Sequence, residues 1–368
     1  MRFDEEYPAT LKEERVVFLN PDLSEPMTFN NINFYDPKTG NIAIHTWDEY
    51  GVGADHRGEV IENNLIRIHS DMIISPLKPG YIAVFQYEGR SSPAIVSHKC
   101  RNIHLTHITQ YHAGAIANLF EGSSNIYIDS LKVIRRPGSG RWFTAHHDAT
   151  HFVECRGDIH IKNCITEYGG DDDINIHGIY RPVINKSGNR RIDVKLVHFQ
   201  QMGVRTLFAG DYVGFHNAKT LEYLGKGKLS KVVHKTPQVT SLYFEENLPD
   251  LNWDNMVVTL REHNMDVQIS GNHFSRHRAR CMLIKTLGKV RIHDNYISVQ
   301  GAAIQINNDV LDWYEAGHVE DVEIYNNIFD QCNLGGFSRA TFEVFATGID
   351  ENSNVPIFKN VKIHNNKI

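Results

Sequence analysis

Three aspartates carry the pattern in this chain that most resembles chemistry. Asp148 lies within His146-His147-Asp148-Ala149-Thr150-His151-Phe152, and Asp171 and Asp172 open Asp171-Asp172-Asp173-Ile174-Asn175-Ile176-His177-Gly178. The pair follows Asp148 by 23 and 24 positions. In a chain built of stacked coils that distance is about one coil, and stacked strands sit roughly 4.8 Å apart. The carboxylates would then converge on one patch, which is costly unless they do chemistry. Neighbouring residues on a regular strand point to opposite faces. Asp171 and Asp172 therefore share a cleft only at a strand end or bend, which Gly169-Gly170 can supply. Crowded like charges keep one carboxyl protonated while the others ionise, the arrangement an acid–base pair needs for glycoside hydrolysis. A run of three aspartates also suits Ca²⁺, and a solvated turn is a third reading.

Histidines flank this patch. His146, His147, His151 and His177 together offer a zinc reading, while His151 and His177 have the reach to hydrogen-bond sugar hydroxyls or to orient an aspartate. No metal or other cofactor is expected. His104, His160, His293 and His364 fall in or after recurring strands, and simple exposure is expected for them. A third constellation runs Arg276-His277-Arg278-Ala279-Arg280, then Lys285-Thr286, then Asp312-Trp313-Tyr314-Glu315-Ala316-Gly317. A tryptophan beside a carboxylate suits a sugar ring, with the indole on its C–H face and the glutamate accepting from hydroxyls. A packed aromatic with a solvated glutamate is the alternative.

The elements that must position these residues are read from a repeated phrase. It appears as Asn102-Ile103-His104-Leu105, Asn125-Ile126-Tyr127-Ile128, Asp158-Ile159-His160-Ile161 and Asp266-Val267-Gln268-Ile269. It returns as Lys289-Val290-Arg291-Ile292, Asp321-Val322-Glu323-Ile324 and Asn360-Val361-Lys362-Ile363, at steps of 23, 33, 108, 23, 32 and 39 residues. Each copy alternates apolar and polar, the period of a half-buried strand, and repeats of this length indicate a solenoid. Asn272, Asn295, Asn327 and Asn366 each fall three places after the second apolar residue, where amides can stack as a ladder. Helical periodicity is nearly absent; the stretch from Val310 to Ala316 is short. An all-β, right-handed parallel β-helix is expected, with a large β-sandwich as the alternative. The 108-residue step exceeds one coil by about 85 residues. Its short strands, Ile192 to Val197 and Met256 to Leu260 among them, predict a small inserted antiparallel β-module. The expected division is an N-terminal segment and first coils at 1–58, coils with the acidic site at 59–178, the module at 179–263 and further coils at 264–368.

Composition sets limits. The chain has 368 residues and a net charge of −6, without a basic stripe for nucleic acid. Its five cysteines are scattered, and Cys155, Cys164 and Cys281 are expected to be buried thiols. No apolar run reaches membrane-spanning length, and the charged start Met1-Arg2-Phe3-Asp4-Glu5-Glu6 does not read as a signal peptide. The residues from Asn360 to Ile368 begin a coil and stop, which reads as truncation of a longer solenoid. Pairing of copies through an open face is compatible with a solenoid.

Seven motifs, in order, resemble glycoside hydrolase family 110, the α-1,3-galactosidases with a parallel β-helix. They are Asp148-Ala149-Thr150-His151-Phe152, Cys155-Arg156-Gly157, Asp171-Asp172 with Asn175-Ile176-His177-Gly178, Gly271-Asn272-His273-Phe274, Arg278-Ala279-Arg280, Gly301-Ala302-Ala303-Ile304 and Trp313-Tyr314-Glu315-Ala316-Gly317. The resemblance implies exo-hydrolysis of terminal α-1,3-linked galactose with inversion, in a bacterial secreted or periplasmic setting. It places the catalytic aspartates on Asp148, Asp171 and Asp172, and a galactose pocket on Asn175, His177, Arg280, Lys285, Trp313 and Glu315, with His151 beside them. Asp171 is then the general acid, and Asp148 and Asp172 hold and deprotonate the attacking water. One departure stands out: Asp173 occupies a place where the family usually has a small residue. It either points away, or alters the acid–base balance, or admits a different sugar. Two other functions fit the residues: a polygalacturonase-like β-helix hydrolase, with Arg278, Arg280 and Lys285 receiving uronates, and a non-catalytic Ca²⁺-holding carbohydrate-binding β-helix.

Overall fold

The computed structural model describes residues 1–3, 8–19, 25–46, 51–86, 92–261, 264–336 and 338–368. Among these, helix is confined to one turn at Val52–Asp55 and a 3₁₀ turn at Phe199–Gln201, and no helix is long and apolar enough to cross a membrane. From Ile95 onward the chain winds as a parallel β-helix with three sheets.

The first sheet carries the site. Its strands are β1 (Ile95–His98), β2 (Asn118–Glu121), β3 (Thr150–Val153), β4 (Ile174–Ile179), β5 (Met282–Ile284), β6 (Ile304–Asp309), a short return strand β7 (Glu315–Ala316) and β8 (Phe342–Thr347). All pair in parallel with the coil before and after, except β7, which folds back antiparallel onto β4. The second sheet consists of the seven copies of the repeated phrase, from Arg101–Thr106 to Val361–His364. Their apolar positions stack in register, Ile126 on Ile159, Ile159 on Val267, and Val267 on Val290. These side chains are buried in one continuous core. Each such burial contributes about 1.5–3 kcal/mol, so the phrase recurs because every coil must fill the same interior.

The corner between the second and third sheets is made by two residues. The first takes a left-handed backbone: Asn163, Gly271, Asp294, Asn326 and Asn365 all have positive φ. These are the residue types that tolerate that conformation. The second is the ladder residue. Asn272 Nδ2 donates to Asn295 Oδ1 at 2.9 Å, Asn295 to Asn327 at 2.9 Å, and Asn327 to Asn366 at 3.0 Å. In the coil before the ladder Cys164 takes this place, and its N–H donates to Asn272 Oδ1 at 2.8 Å. On the outer face of the second sheet the histidines do more than face solvent. His104, Tyr127 and His160 stack ring on ring, as do His293, Tyr325 and His364. In-register strands put these rings directly above one another, which turns expected exposure into a stacked ladder.

The 108-residue step is an insertion. Ile159 pairs directly with Val267, so the coil resumes as though nothing intervened. Between them, strands from Arg181–Lys186 to Met256–Leu260 close into an antiparallel barrel with its own core, including Val194, Phe215, Leu229 and Leu242. Arg181 ties the barrel to the helix by a bidentate pair with Glu154, both bonds 2.7 Å. The expected end of the module at His263 lies outside the described residues. The N-terminal part differs from the expected coils after residue 59. Arg57–Glu62 and Leu65–His69 form an antiparallel hairpin, and Asn31–Tyr35 pairs antiparallel with Ile82–Gln86. Ile66, Ile68, Ala83 and Phe85 pack with Phe29, Ile32 and Phe34 in a separate small core instead of the coil interior.

Candidate active site

The outer face of the first sheet, the barrel and the return strand enclose a cleft of about 810 Å³. Strand alternation fixes its floor. On β4, Ile174 and Ile176 enter the coil interior, so Asn175 and His177 line the cleft. On β3 this places His151 outward, just past β5 Lys285 follows Leu283, and on β6 Gln305, Asn307 and Asp309 face out.

The aspartates sit where this alternation breaks. Thr150 pairs with Ile174, and Ile174 with Met282. Two places earlier the same register aligns Asp148, Asp172 and Arg280, all lining the cleft. Between the outward residue and the strand, each coil turns two residues inward: Ala149-Thr150, Asp173-Ile174, Cys281-Met282 and Ala303-Ile304 are all buried. Asp173 thus occupies an interior place held by alanine or cysteine in neighbouring coils. It points away from the cleft, accepts from the Thr166 hydroxyl, and lies 2.8 Å from His277 Nε2. Burial raises the Asp173 carboxyl. Burial pulls His277 down, but Asp173 more than offsets this and holds the imidazole above its ordinary value. Gly169 and Gly170 are needed for close packing, not for an unusual backbone. A Cβ would come 2.2 Å from His277 Nδ1 at the first, and 2.5 Å from the His146 carbonyl oxygen at the second.

The three aspartates and the seven residues expected around them, His151, Asn175, His177, Arg280, Lys285, Trp313 and Glu315, all line the cleft, whereas His146 and His147 do not. Carboxylate oxygens of Asp148, Asp171 and Asp172 lie within 4.8 Å of one another. Asp171 Oδ1 accepts from Arg278 Nη2 at 2.9 Å. Arg280 forks onto Asp172, with Nε to Oδ1 and Nη2 to Oδ2 both 2.9 Å. Burial pushes Asp172 up to about 6; Arg280 opposes it, and Asp171 and Asp148 push the same way. A second network runs beside the first. His151 Nδ1 is 2.6 Å from Asp148 Oδ2, and His151 Nε2 is 2.8 Å from His177 Nε2. His177 Nδ1 faces the Gly178 carbonyl at 2.7 Å and must donate to it. Burial pushes His177 down to about 4, so at neutral pH its Nε2 accepts from His151. Lys285 donates to Glu315, and Asn175 Nδ2 approaches Glu315 at 3.4 Å. Burial alone would raise Glu315; the facing His177 and Lys285 hold it well below the usual carboxylate range, with Lys285 supplying the charge wherever His177 is neutral. Glu315 arrives through β7, whose pairing with Ile179 also brings Trp313 to the rim. There its ring meets His198 at 4.4 Å, and its carbonyl accepts from Gln201 Nε2 at 2.7 Å. The barrel segment 198–201 therefore walls the cleft.

Among the described residues two sets of donors are close enough to hold a cation: the three aspartates, and His151, His177 and Glu315. Both already have cationic partners, arginines in the first and Lys285 in the second. Sequence reasoning did not assign Arg278 a place beside Asp171, although its spacing from Arg280 puts both on one side. It also missed His198, Gln201, Gln305 and Asn307, which carry no motif and enter through the barrel and the floor.

Fold and site together define a parallel β-helix bearing an acidic cleft walled by an inserted β-barrel. Residues 191–252 match the family model described as GLAA-B beta-barrel domain II, within the inserted barrel. The chain is similar to Alpha-1,3-galactosidase A of Shewanella woodyi, 29% identical over 368 residues, 100% of this chain and 60% of that protein. It is 27% identical over 369 residues to Alpha-1,3-galactosidase B of Bacteroides thetaiotaomicron, covering 98% of this chain and 59% of the relative. Alpha-1,3-galactosidase A of the same organism is 31% identical over 237 residues, 64% of this chain and 42% of the relative. The chain thus spans 42–60% of the length of these relatives. They are consistent with glycoside hydrolase family 110, which the motifs resemble.

Proposed function

We propose that the cleft hydrolyses terminal α-1,3-linked galactose from oligosaccharides or glycans, with inversion at the anomeric carbon. The observation that carries this reading is the three-aspartate group on adjacent coils, with a proton held up to about pH 6 on a buried member. Relatives matching along the chain are named Alpha-1,3-galactosidase A and B, which supports the galactosidase part of this reading. Asp171 is the general acid. Its side chain is 13% exposed against 4% for Asp148 and for Asp172, so it faces the departing sugar. Arg278 fixes its orientation. Asp148 and Asp172, stacked in register, hold the water and take its proton. A base near 6 is well matched to neutral pH. His151 orients Asp148, while Asn175, His177, Arg280, Lys285, Glu315 and Trp313 shape the galactose pocket.

Inverting pairs typically stand roughly 6.5–9.5 Å apart, and the nearest oxygens here are within 4.8 Å. Inversion therefore rests on the family resemblance, and the anomer of the released sugar tests it. The uronate alternative is disfavoured because Arg278, Arg280 and Lys285 are each engaged by Asp171, Asp172 and Glu315. The same arginines supply the charge that a Ca²⁺ ion would. On galactosyl-α-1,3-galactose, Asp171→Asn should lower kcat by about 10²–10⁴, and NMR should show β-galactose as the first product of the unaltered chain. Full activity of Asp171→Asn, or α-galactose as the first product, contradicts the assignment.

A further inference from the structure

A second concavity, about 460 Å³, lies outside the cleft where the coils leave the third sheet for the first. Arg135, Arg136, Arg141 and Arg276 line it, and Glu167 is the one carboxylate among its lining residues. Four guanidinium groups against one carboxylate give the lining a formal charge of +3, in a chain whose net charge is −6. Arg135, Arg141 and Arg276 are held in place by uncharged partners. Arg135 stacks 3.5 Å from the Tyr168 ring centroid and donates to the Arg141 carbonyl at 3.1 Å. Arg276 lies on the same ring and donates to its hydroxyl. Arg141 Nη1 lies 3.3 Å from His112 Nδ1, which also faces the Thr144 carbonyl at 3.1 Å. A ring, a carbonyl, a phenol and an imidazole satisfy donors but carry no negative charge. Among the described residues none of the four arginines makes an ion pair. Burial pulls the Arg135 guanidinium below its ordinary value, the Arg276 charge adds to that pull, and the nearby Glu167 charge opposes it without overcoming it.

Four crowded cations around a hollow repel one another, and an oxyanion relieves that repulsion. Guanidinium forks match the oxygens of sulfate and carboxylate groups in pairs. Trp142 adds an aromatic wall of the kind that packs on a sugar ring. The position matters too. Tyr168 stands three residues before Asp171, and Arg276 two before Arg278, its partner. The same two turns therefore carry the hollow at one end and the acidic cluster at the other.

We propose that this corner pocket is a second, non-catalytic site that binds a sugar chain bearing sulfate or carboxylate groups. The sugar part rests on the galactosidase reading; the anion part rests on the arginines alone. The test is retardation of the chain in gels containing dextran sulfate, polygalacturonate or neutral dextran, with the Arg136→Ser/Arg141→Ser variant alongside. Both arginines are exposed, and thermal unfolding checks that the variant is folded. Retardation by one or both charged polymers and not by dextran, weakened about tenfold or more in the variant, supports the site. Which polymer binds better identifies the anion. Hydrolysis of a nitrophenyl α-galactoside should be unchanged in the variant. Equal retardation of variant and unaltered chain, or none by either charged polymer, overturns the proposal. Equal affinity for inorganic sulfate, phosphatidylglycerol vesicles or duplex DNA overturns its carbohydrate part. Binding without any galactoside hydrolysis keeps the arginine site and removes the galactosidase reading; hydrolysis without binding does the reverse.

Discussion

Replacing Asp172 by Asn separates two forces acting on one carboxyl. Arg280 forks onto it and favours the ionised form; burial beside Asp171 and Asp148 favours the protonated form. Burial prevails, and the group ionises at about 6 in the fold against an ordinary 3.8. Ionising it within the fold therefore costs stability. That cost is absent below pH 3.8, grows between 3.8 and about 6, and is complete above it. At 1.36 kcal/mol per pH unit the gap amounts to about 3 kcal/mol. Asp172 is only 3% exposed, so solvent screening removes little of this. Asparagine has nearly the shape of the protonated acid and does not titrate. The variant should match the unaltered chain near pH 4 and be about 3 kcal/mol more stable at pH 7.5. Urea unfolding midpoints across that range measure the difference. A gap that does not change with pH, or one that favours the unaltered chain more as pH rises, refutes the reasoning and gives the contest to Arg280. The same variant should lose most hydrolytic activity, trading function for stability.

Other perturbations test separate parts of the structure. Lys285→Met leaves the buried Glu315 carboxylate without its ammonium partner; it should lower stability by about 3–5 kcal/mol, and adding Glu315→Gln should recover most of that in thermal unfolding. Asp173→Ala strands His277 in the interior and should cost a similar amount, about 3–5 kcal/mol, while kcat on an α-galactoside changes little; a large change in sugar preference would contradict its inward placement. Asn295→Ala removes four ladder bonds, two accepted from Asn272 and two donated to Ile269 and Asn327. At about 1 kcal/mol each, denaturant unfolding should show a loss of about 2–5 kcal/mol.

The coils, the amide ladder and the acidic patch were legible because a solenoid repeats its constraints. Every coil fills the same interior and turns the same corner, so Ile126, Ile159 and Val267 recur in one phrase, and Asn272, Asn295 and Asn327 recur at one place. The insertion showed itself as a broken interval. The N-terminal hairpins were not legible, since short alternating runs such as Arg57–Glu62 read alike whether they pair with a coil or with each other.

The sequence by itself determined that Asp148 and Asp172 meet, because a one-coil separation along a repeating chain is also a position in space. It could not determine which way Asp173 points. Strict alternation would place Asp171 and Asp173 on one face; the turn that precedes each strand instead sends two successive residues inward, so Asp173 joins Ala149 and Cys281 in the core. Nor could it determine the partners of the aspartates. Arg278 and Arg280 lie 107 and 108 positions from Asp171 and Asp172, and only the closing of the coil across the inserted barrel joins them. The tertiary structure likewise decided that Glu315 and Trp313 belong to the cleft, through a two-residue strand too short to leave a periodic signal. Local pattern follows from what each residue must bury, whereas the charge balance of the site follows from which distant turns the fold brings side by side.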